Sequence, residues 1–154
     1  MLKILFVCHG NICRSPMAEY VMRYMLKEKG IDNVITASAA TSTEEIGNPV
    51  HRGTAEILRS LGIDFSDKRA RQMTKKDYKE YDLLIGIDTA NILNMTRIAG
   101  ADTENKIYRL LEFAGETGDI SDPWYTGDFK QTYFDIERGC KGLIDAILRQ
   151  NECT

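Results

Sequence analysis

Apolar residues in this chain keep two rhythms, and the switches between them mark out a series of short elements. Leu2, Ile4, Leu5, Phe6 and Val7 make a β-type run over 2–7 that stops at Cys8. Ala18, Val21, Met22 and Met25 then recur at helical spacing, which predicts a helix over 16–29. Val34 to Ser38 reads as a second strand, followed by a loop rich in Thr and Ser. Ala55, Leu58 and Leu61 predict a helix over about 51–61, stopped by Gly62. Thr74 has Asp77 three residues on, close to capping-box spacing, and so marks the start of a short helix. Leu83 to Ile87 reads as a buried strand, 88–99 as a helix ending at Gly100, and Lys106 to Leu110 as a fourth strand. Phe129, Ile136, Cys140, Leu143 and Ile147 stripe a last helix over about 128–150. Strands alternating with helices predict an α/β protein whose parallel sheet is covered by helices on both faces. With no repeat, low-complexity tract or linker, the 154 residues are expected to form one domain, 1–154.

In open parallel sheets, ligands bind beyond the carboxyl ends of the strands. The first such edge carries Val-Cys-His-Gly-Asn-Ile-Cys-Arg-Ser-Pro over 7–16. A strand, a tight loop and a helix N-terminus converge there, so backbone N–H groups and the helix dipole favour an anion. A thiol at the floor of such a nest is expected to have a lowered pKa, because the same donors stabilise its thiolate. The spacing Cys8-x5-Arg14 lets a guanidinium fold over the loop and grip two oxygens of a phosphate. Ser15 can donate a hydrogen bond to the sulfur, and Asn11 can tie the loop together through its amide. Gly10 and Asn11 are residue types that tolerate positive φ. Pro16 suits the first turn of a helix. Asp122, past the fourth strand and stiffened by Pro123, is the candidate proton donor on the same edge.

Composition narrows the field. The net charge of −3 leaves no basic footprint for nucleic acid and no polybasic membrane patch. No apolar run is long enough to span a bilayer, and the N-terminal run is too short for a signal peptide. A cytoplasmic protein with reduced thiols is therefore expected. Cys8, Cys13, Cys140 and Cys153 resemble neither a secreted disulfide framework nor a zinc site, so no metal or cofactor is expected. Cys140 falls on the last helix's apolar stripe as a core thiol, and Cys153 falls in an exposed tail.

The string Cys-x-Gly-Asn-x-Cys-Arg-Ser-Pro resembles the phosphate loop of the low-molecular-weight protein tyrosine phosphatases. Ala70-Arg71-Gln72, Asp82-Leu83-Leu84-Ile85 and Asp122-Pro123-Trp124-Tyr125 follow in that family's order, so the likeness covers nearly the whole chain. It implies a four-stranded parallel sheet of order 2-1-3-4 and hydrolysis of phosphotyrosine monoesters through a phosphocysteine. In that scheme Cys8 is the nucleophile, Arg14 the phosphate clamp and Asp122 the general acid and base. His9, Gly10, Asn11, Ile12, Cys13 and Ser15 complete the phosphate loop, and a phosphotyrosine protein or peptide is the partner. Phosphate or a similar oxyanion would bind in the same place.

Trp124 and Tyr125, with Ile12 and Glu44, are expected to wall the pocket; the family usually has Tyr at both aromatic positions. Relatives that resemble arginine-phosphate phosphatases carry Thr at the position of Ile12, and an aliphatic residue suits an aryl substrate. Cys13 is expected to capture oxidised Cys8 as a disulfide, the alternative being an apolar filler beneath the loop. His9 is expected to point outward as a bystander, and His51 to sit at a helix start with no partner in view. Two positions depart from the pattern. Glu44 stands near a rim aromatic of mammalian members and makes the rim acidic, and Lys68 stands where many relatives have a loop-supporting His. An arsenate reductase on this scaffold would need two more Cys, and residues 75–115 hold none. A binding module would need neither the thiol nor the acid.

Overall fold

The structure, a computed structural model, describes residues 1–152. Strand β1 (Leu2–Cys8) sits in the middle of a four-stranded sheet with β2 (Val34–Ala40), β3 (Leu83–Gly86) and β4 (Ile107–Arg109). The order is β2-β1-β3-β4 and every pairing is parallel, as expected. Each parallel connection needs a crossover, and helices supply them: α1 (Arg14–Glu28), α2 (Arg52–Ser60), α3 (Lys75–Glu80) and α4 (Thr89–Ala99). A four-residue helix α5 (Pro123–Thr126) and the long α6 (Phe129–Glu152) close the chain.

A central strand has no solvated face, which is why β1 is apolar without alternation. Ile4, Phe6 and Cys8 point into one core with Met17, Val21 and Met22 of α1 and Ile136, Cys140 and Leu143 of α6. Leu5 and Val7 point the other way, toward Tyr78 of α3 and Met95 and Ala99 of α4. Burying one such side chain is worth roughly 1.5–3 kcal/mol, so the strand that carries the site is also the best anchored. Cys140 is fully buried in the first core, as its helical spacing predicts. Cys153 lies outside the described residues.

The elements differ from the sequence pattern at their ends. Strand β2 runs past Ser38 to Ala40 because its register with β1 continues to the Cys8–Ala40 pair. Helix α1 starts at Arg14 rather than Pro16, with Cys13 as its N-cap. The fourth strand stops at Arg109, because Leu110 and Leu111 are both buried and turn as a 3₁₀ segment closed by Gly115 at φ 75°. Gly142 lets α6 lie against that segment: a Cβ there would sit 2.1 Å from the carbonyl oxygen of Phe113. Among the described residues no helix is long and apolar enough to cross a membrane.

Candidate active site

Four chain segments end at the carboxyl edge of the sheet, and each delivers part of one site. Cys8 closes β1, and the loop 9–13 turns sharply into α1. Asn11 makes that turn possible: its φ is 60°, a left-handed conformation that Asn tolerates better than most residues. Gly10 is not in that conformation, contrary to expectation, and a Cβ there would make only ordinary contact with Glu45 at 3.4 Å. Asn11 alone therefore carries the backbone reversal.

Asn11 is buried and uses its whole amide. Its Nδ2 donates to Ser15 Oγ at 2.8 Å and Ser38 Oγ at 3.0 Å, while its Oδ1 accepts from the Arg71 N–H at 3.1 Å. The Ala70-Arg71-Gln72 segment is held for that contact by backbone bonds to Ala40 on either side, Ala40 N to Arg71 O and Met73 N to Ala40 O, both 2.7 Å. Ser38 Oγ in turn donates to Glu19 Oε1 at 2.6 Å. Lys68, the departure noted in sequence, closes the support from below. Its ammonium donates to the Ser38 carbonyl at 2.9 Å and lies 3.8 Å from Glu19 Oε1. Burial pulls the Lys68 pKa down, and Glu19 only partly offsets it. An ammonium thus braces the loop in this chain.

At the centre, Cys8 Sγ accepts from the backbone N–H groups of Asn11 at 3.3 Å and Ser15 at 3.4 Å, and shares a 3.0 Å hydrogen bond with Ser15 Oγ. The N–H groups of Gly10, Ile12 and Cys13 donate to no protein acceptor among the described residues, although Ile12 and Cys13 are buried. Buried backbone donors are almost always paired, so a row of open ones around a sulfur is a ready anion cradle.

Arg14 folds back over this row with its side chain only 4% exposed. Its Nη1 donates to Asp88 Oδ2 at 2.6 Å and to the Ile120 carbonyl at 2.9 Å, and its Nη2 to Asp122 Oδ2 at 3.5 Å. Burial alone would lower its pKa, but Cys8, Asp88 and Asp122 outweigh that and raise it, so the cation is secure. Asp88 was not singled out in the sequence. It caps α4 by accepting from Asn91 N at 2.8 Å while its other oxygen holds Arg14. The signal was present: an Asp two residues past β3, opening a helix on the ligand-binding edge.

Asp122 caps α5, accepting from Trp124 N at 3.0 Å through Oδ1, which leaves Oδ2 toward Arg14 and the cavity. Cys8, His9, Gly10, Ile12, Cys13, Arg14, Glu44, Asp122, Trp124 and Tyr125, all singled out in the sequence, line one cavity, with Glu45 added. Asn11 and Ser15 stand behind it. Trp124 and Tyr125 are rim residues, 58% and 84% exposed. His51 does have partners, contrary to the sequence reading: its ring stacks on Phe129 at 5.2 Å and meets Trp124 edge-on at 5.6 Å, and its Nδ1 accepts from Gly53 N. It buttresses the aromatic side of the mouth. His9 points outward to Glu44, Nε2 to Oε2 at 2.8 Å. Cys13 is buried, and that burial pushes its thiol up to about 12, helped by the neighbouring Cys8. Among the described residues no cluster of His, Cys, Asp or Glu could hold a metal.

A parallel α/β sheet with a thiol in an amide cradle, a buried arginine above it and a carboxylate at the mouth defines an enzyme site for tetrahedral oxyanions. Comparison with known proteins gives the family. The model of the family described as low molecular weight phosphotyrosine protein phosphatase matches residues 3–153. The low molecular weight protein-tyrosine-phosphatase YfkJ of Bacillus subtilis is 41% identical over 155 residues, spanning 99% of both chains. PtpA of Staphylococcus epidermidis is 36% identical over 150 residues, spanning 97% of this chain and 96% of its own. The crystal structure of YfkJ superposes with a TM-score of 0.93 at 40% identity, over 97% of this chain and 96% of that one. SP-PTP of Streptococcus pyogenes gives 0.84 at 39% identity, over 95% and 93%. The chain belongs to the low-molecular-weight protein-tyrosine-phosphatase family and is a hydrolase.

Proposed function

We propose that this phosphatase hydrolyses phosphotyrosine on proteins or peptides through a covalent phosphocysteine at Cys8. The observation that carries the reading is the convergence of Cys8, Arg14 and Asp122 on one cavity, around backbone donors that no protein group among the described residues uses. In the first step the Cys8 thiolate attacks phosphorus in line, forming the S–P bond as the bond to the phenolic oxygen breaks. The equatorial oxygens are held by the loop N–H groups and Arg14, which meet the developing charge without reorganising. Asp122 delivers its proton to the departing phenolate. In the second step the Asp122 carboxylate takes a proton from water, the water oxygen attacks phosphorus, and the S–P bond breaks. Ser15, 3.0 Å from the sulfur, donates to the returning thiolate. The steps balance with protein groups and water alone.

Trp124 and Tyr125 receive the aryl ring at the mouth, with Ile12 as an apolar wall suited to a flat substrate. Glu44 and Glu45 make the rim acidic, so substrates with neutral or basic flanks fit better than acidic ones. Cys13 stays a protonated thiol at neutral pH and so does not compete as nucleophile. After a peroxide oxidises Cys8 to its sulfenic acid, Cys13 sulfur attacks, the S–S bond forms and water leaves. Peptide mapping without reductant after mild peroxide should find a Cys8–Cys13 disulfide; irreversible Cys8 oxidation alone would reject that role. The scattered cysteines, which match no secreted disulfide framework, support a cytoplasmic enzyme.

The test is Cys8→Ser. Turnover of an aryl phosphate should vanish while vanadate still binds the cradle, and substantial residual turnover would reject covalent catalysis.

A further inference from the structure

A second groove shares no lining residue with the catalytic cavity and has the opposite character. It is lined by Arg52, Arg59, Lys68 and Arg69, with Phe65 and Ser66, and none of its lining residues among the described ones is acidic. Four cations on one concave surface stand out in a chain whose net charge is −3. Arg52 and Arg59 lie two turns apart on α2, and Lys68 and Arg69 come from the segment that follows it.

Lys68 is paired with Glu19 at 3.8 Å, but the three guanidinium charges are not neutralised locally. Arg52, Arg59 and Arg69 make no ion pair among the described residues. Arg59 lies over the Phe65 ring at 5.5 Å, which leaves its N–H donors open. Arg69 spends only Nη1, on the backbone carbonyls of Ser66 and Lys68. Glu56, between the two α2 arginines in sequence, lines a different groove with Lys130. Asp64 holds the Ser66 N–H and hydroxyl through Oδ1, and neither it nor Asp67 lines the groove or pairs with one of the arginines among the described residues. Lys68 is the innermost of the four, its side chain 11% exposed and its ammonium on the Ser38 carbonyl.

Cations held together without counter-charge repel one another, and an anion that bridges them relieves that repulsion. Guanidinium forks match phosphate oxygens in pairs. A single phosphate carries about −2 at most near neutral pH, too little for the three unpaired guanidiniums, whereas adjacent phosphates along one chain supply both the charge and the spread. We propose that this groove is a second, noncatalytic oxyanion site that binds a chain of adjacent phosphates, as found in inorganic polyphosphate or the triphosphate of a nucleotide.

The test is calorimetric titration of inorganic tripolyphosphate into the whole protein, with the catalytic cradle saturated by phenylphosphonate and about 0.15 M salt present to screen diffuse charge. One equivalent should bind, and more tightly than inorganic phosphate. Arg52→Gln/Arg59→Gln, at exposed positions of α2, should weaken binding by about tenfold or more and leave aryl-phosphate turnover unchanged. A parallel titration with a nucleoside triphosphate separates the two sources: equal affinity assigns the phosphate chain alone, and higher affinity assigns a nucleotide. No binding beside phenylphosphonate, equal affinity for inorganic phosphate, or undiminished binding by the double variant would each overturn the proposal. Aryl-phosphate turnover is measured separately, so loss of this site and loss of the catalytic reading give different results.

Discussion

Replacing Asp88 with Asn removes the charge that tethers Arg14 while sparing the backbone around it. Asn is as good an N-cap as Asp, so the Asn91 N–H keeps an acceptor and α4 keeps its start. What goes is the charge-assisted bond between Arg14 Nη1 and Asp88 Oδ2, 2.6 Å long, between side chains 4% and 19% exposed. Hydrogen bonds to charged groups are worth about 1.5–3 kcal/mol, a factor of roughly 10–150 in rate if all of it orients the guanidinium. One contact reduces the loss: the Ile120 carbonyl still holds Nη1 at 2.9 Å. The single amide oxygen stays on the Asn91 N–H, so the NH2 faces Arg14 and cannot replace the lost acceptor. A fall of at least about tenfold in kcat/KM follows. Steady-state hydrolysis of nitrophenyl phosphate, with a melting curve beside it, measures both sides. A D88N protein that folds normally and turns over like the wild type would refute the idea that Asp88 positions the clamp.

Asp122→Ala should lower kcat/KM, which ends at S–P bond formation, by roughly 10²–10⁴ with phenyl phosphate and far less with a nitrophenyl leaving group, which needs no proton; equal losses in kcat/KM would exclude the acid role. Phosphotyrosine peptides with basic flanks should show higher kcat/KM than acidic ones, the gap closing in Glu44→Gln/Glu45→Gln and in high salt; a preference for acidic flanks would contradict the rim assignment. Burial raises the Cys140 thiol pKa in the folded state, so above the ordinary thiol range the unfolded chain loses a proton that the folded one keeps. The stability this provides is fully present below the unfolded pKa and falls as pH rises above it, by up to about 1.4 kcal/mol per pH unit. Denaturant midpoints from neutral to alkaline pH should therefore decline less steeply in Cys140→Ala, and parallel declines would show that this thiol is not responsible.

The fold was legible because its signals are periodic. The apolar run at 2–7 and the stripes of α1 and α6 announce buried faces whatever surrounds them. The order 2-1-3-4 came instead from resemblance, since periodicity says nothing about which strands neighbour. Short features escaped: α5 has four residues and the 3₁₀ segment five, too few for a period to show. The catalytic cavity was legible because its chemistry is local, packed into residues 8–15 and 122–125. Its support was not, because it is built from distant pairs. Lys68 and Ser38 are 30 residues apart, and Arg14 and Asp88 are 74. Nothing at position 68 reveals that its ammonium will find Glu19 and a strand-end carbonyl; only the fold brings them together. His51 was misread for the same reason, since Phe129 and Trp124 reach it from the far end of the chain.

Rapid acid quench during turnover of an aryl phosphate, followed by peptide mapping, tests the covalent route most directly. The peptide containing Cys8 should carry one phosphoryl group, accumulating in the Asp122→Ala variant with an activated substrate because water is then poorly activated. A phosphoryl group on any other residue, or an unmodified Cys8 peptide under conditions of steady turnover, would contradict it.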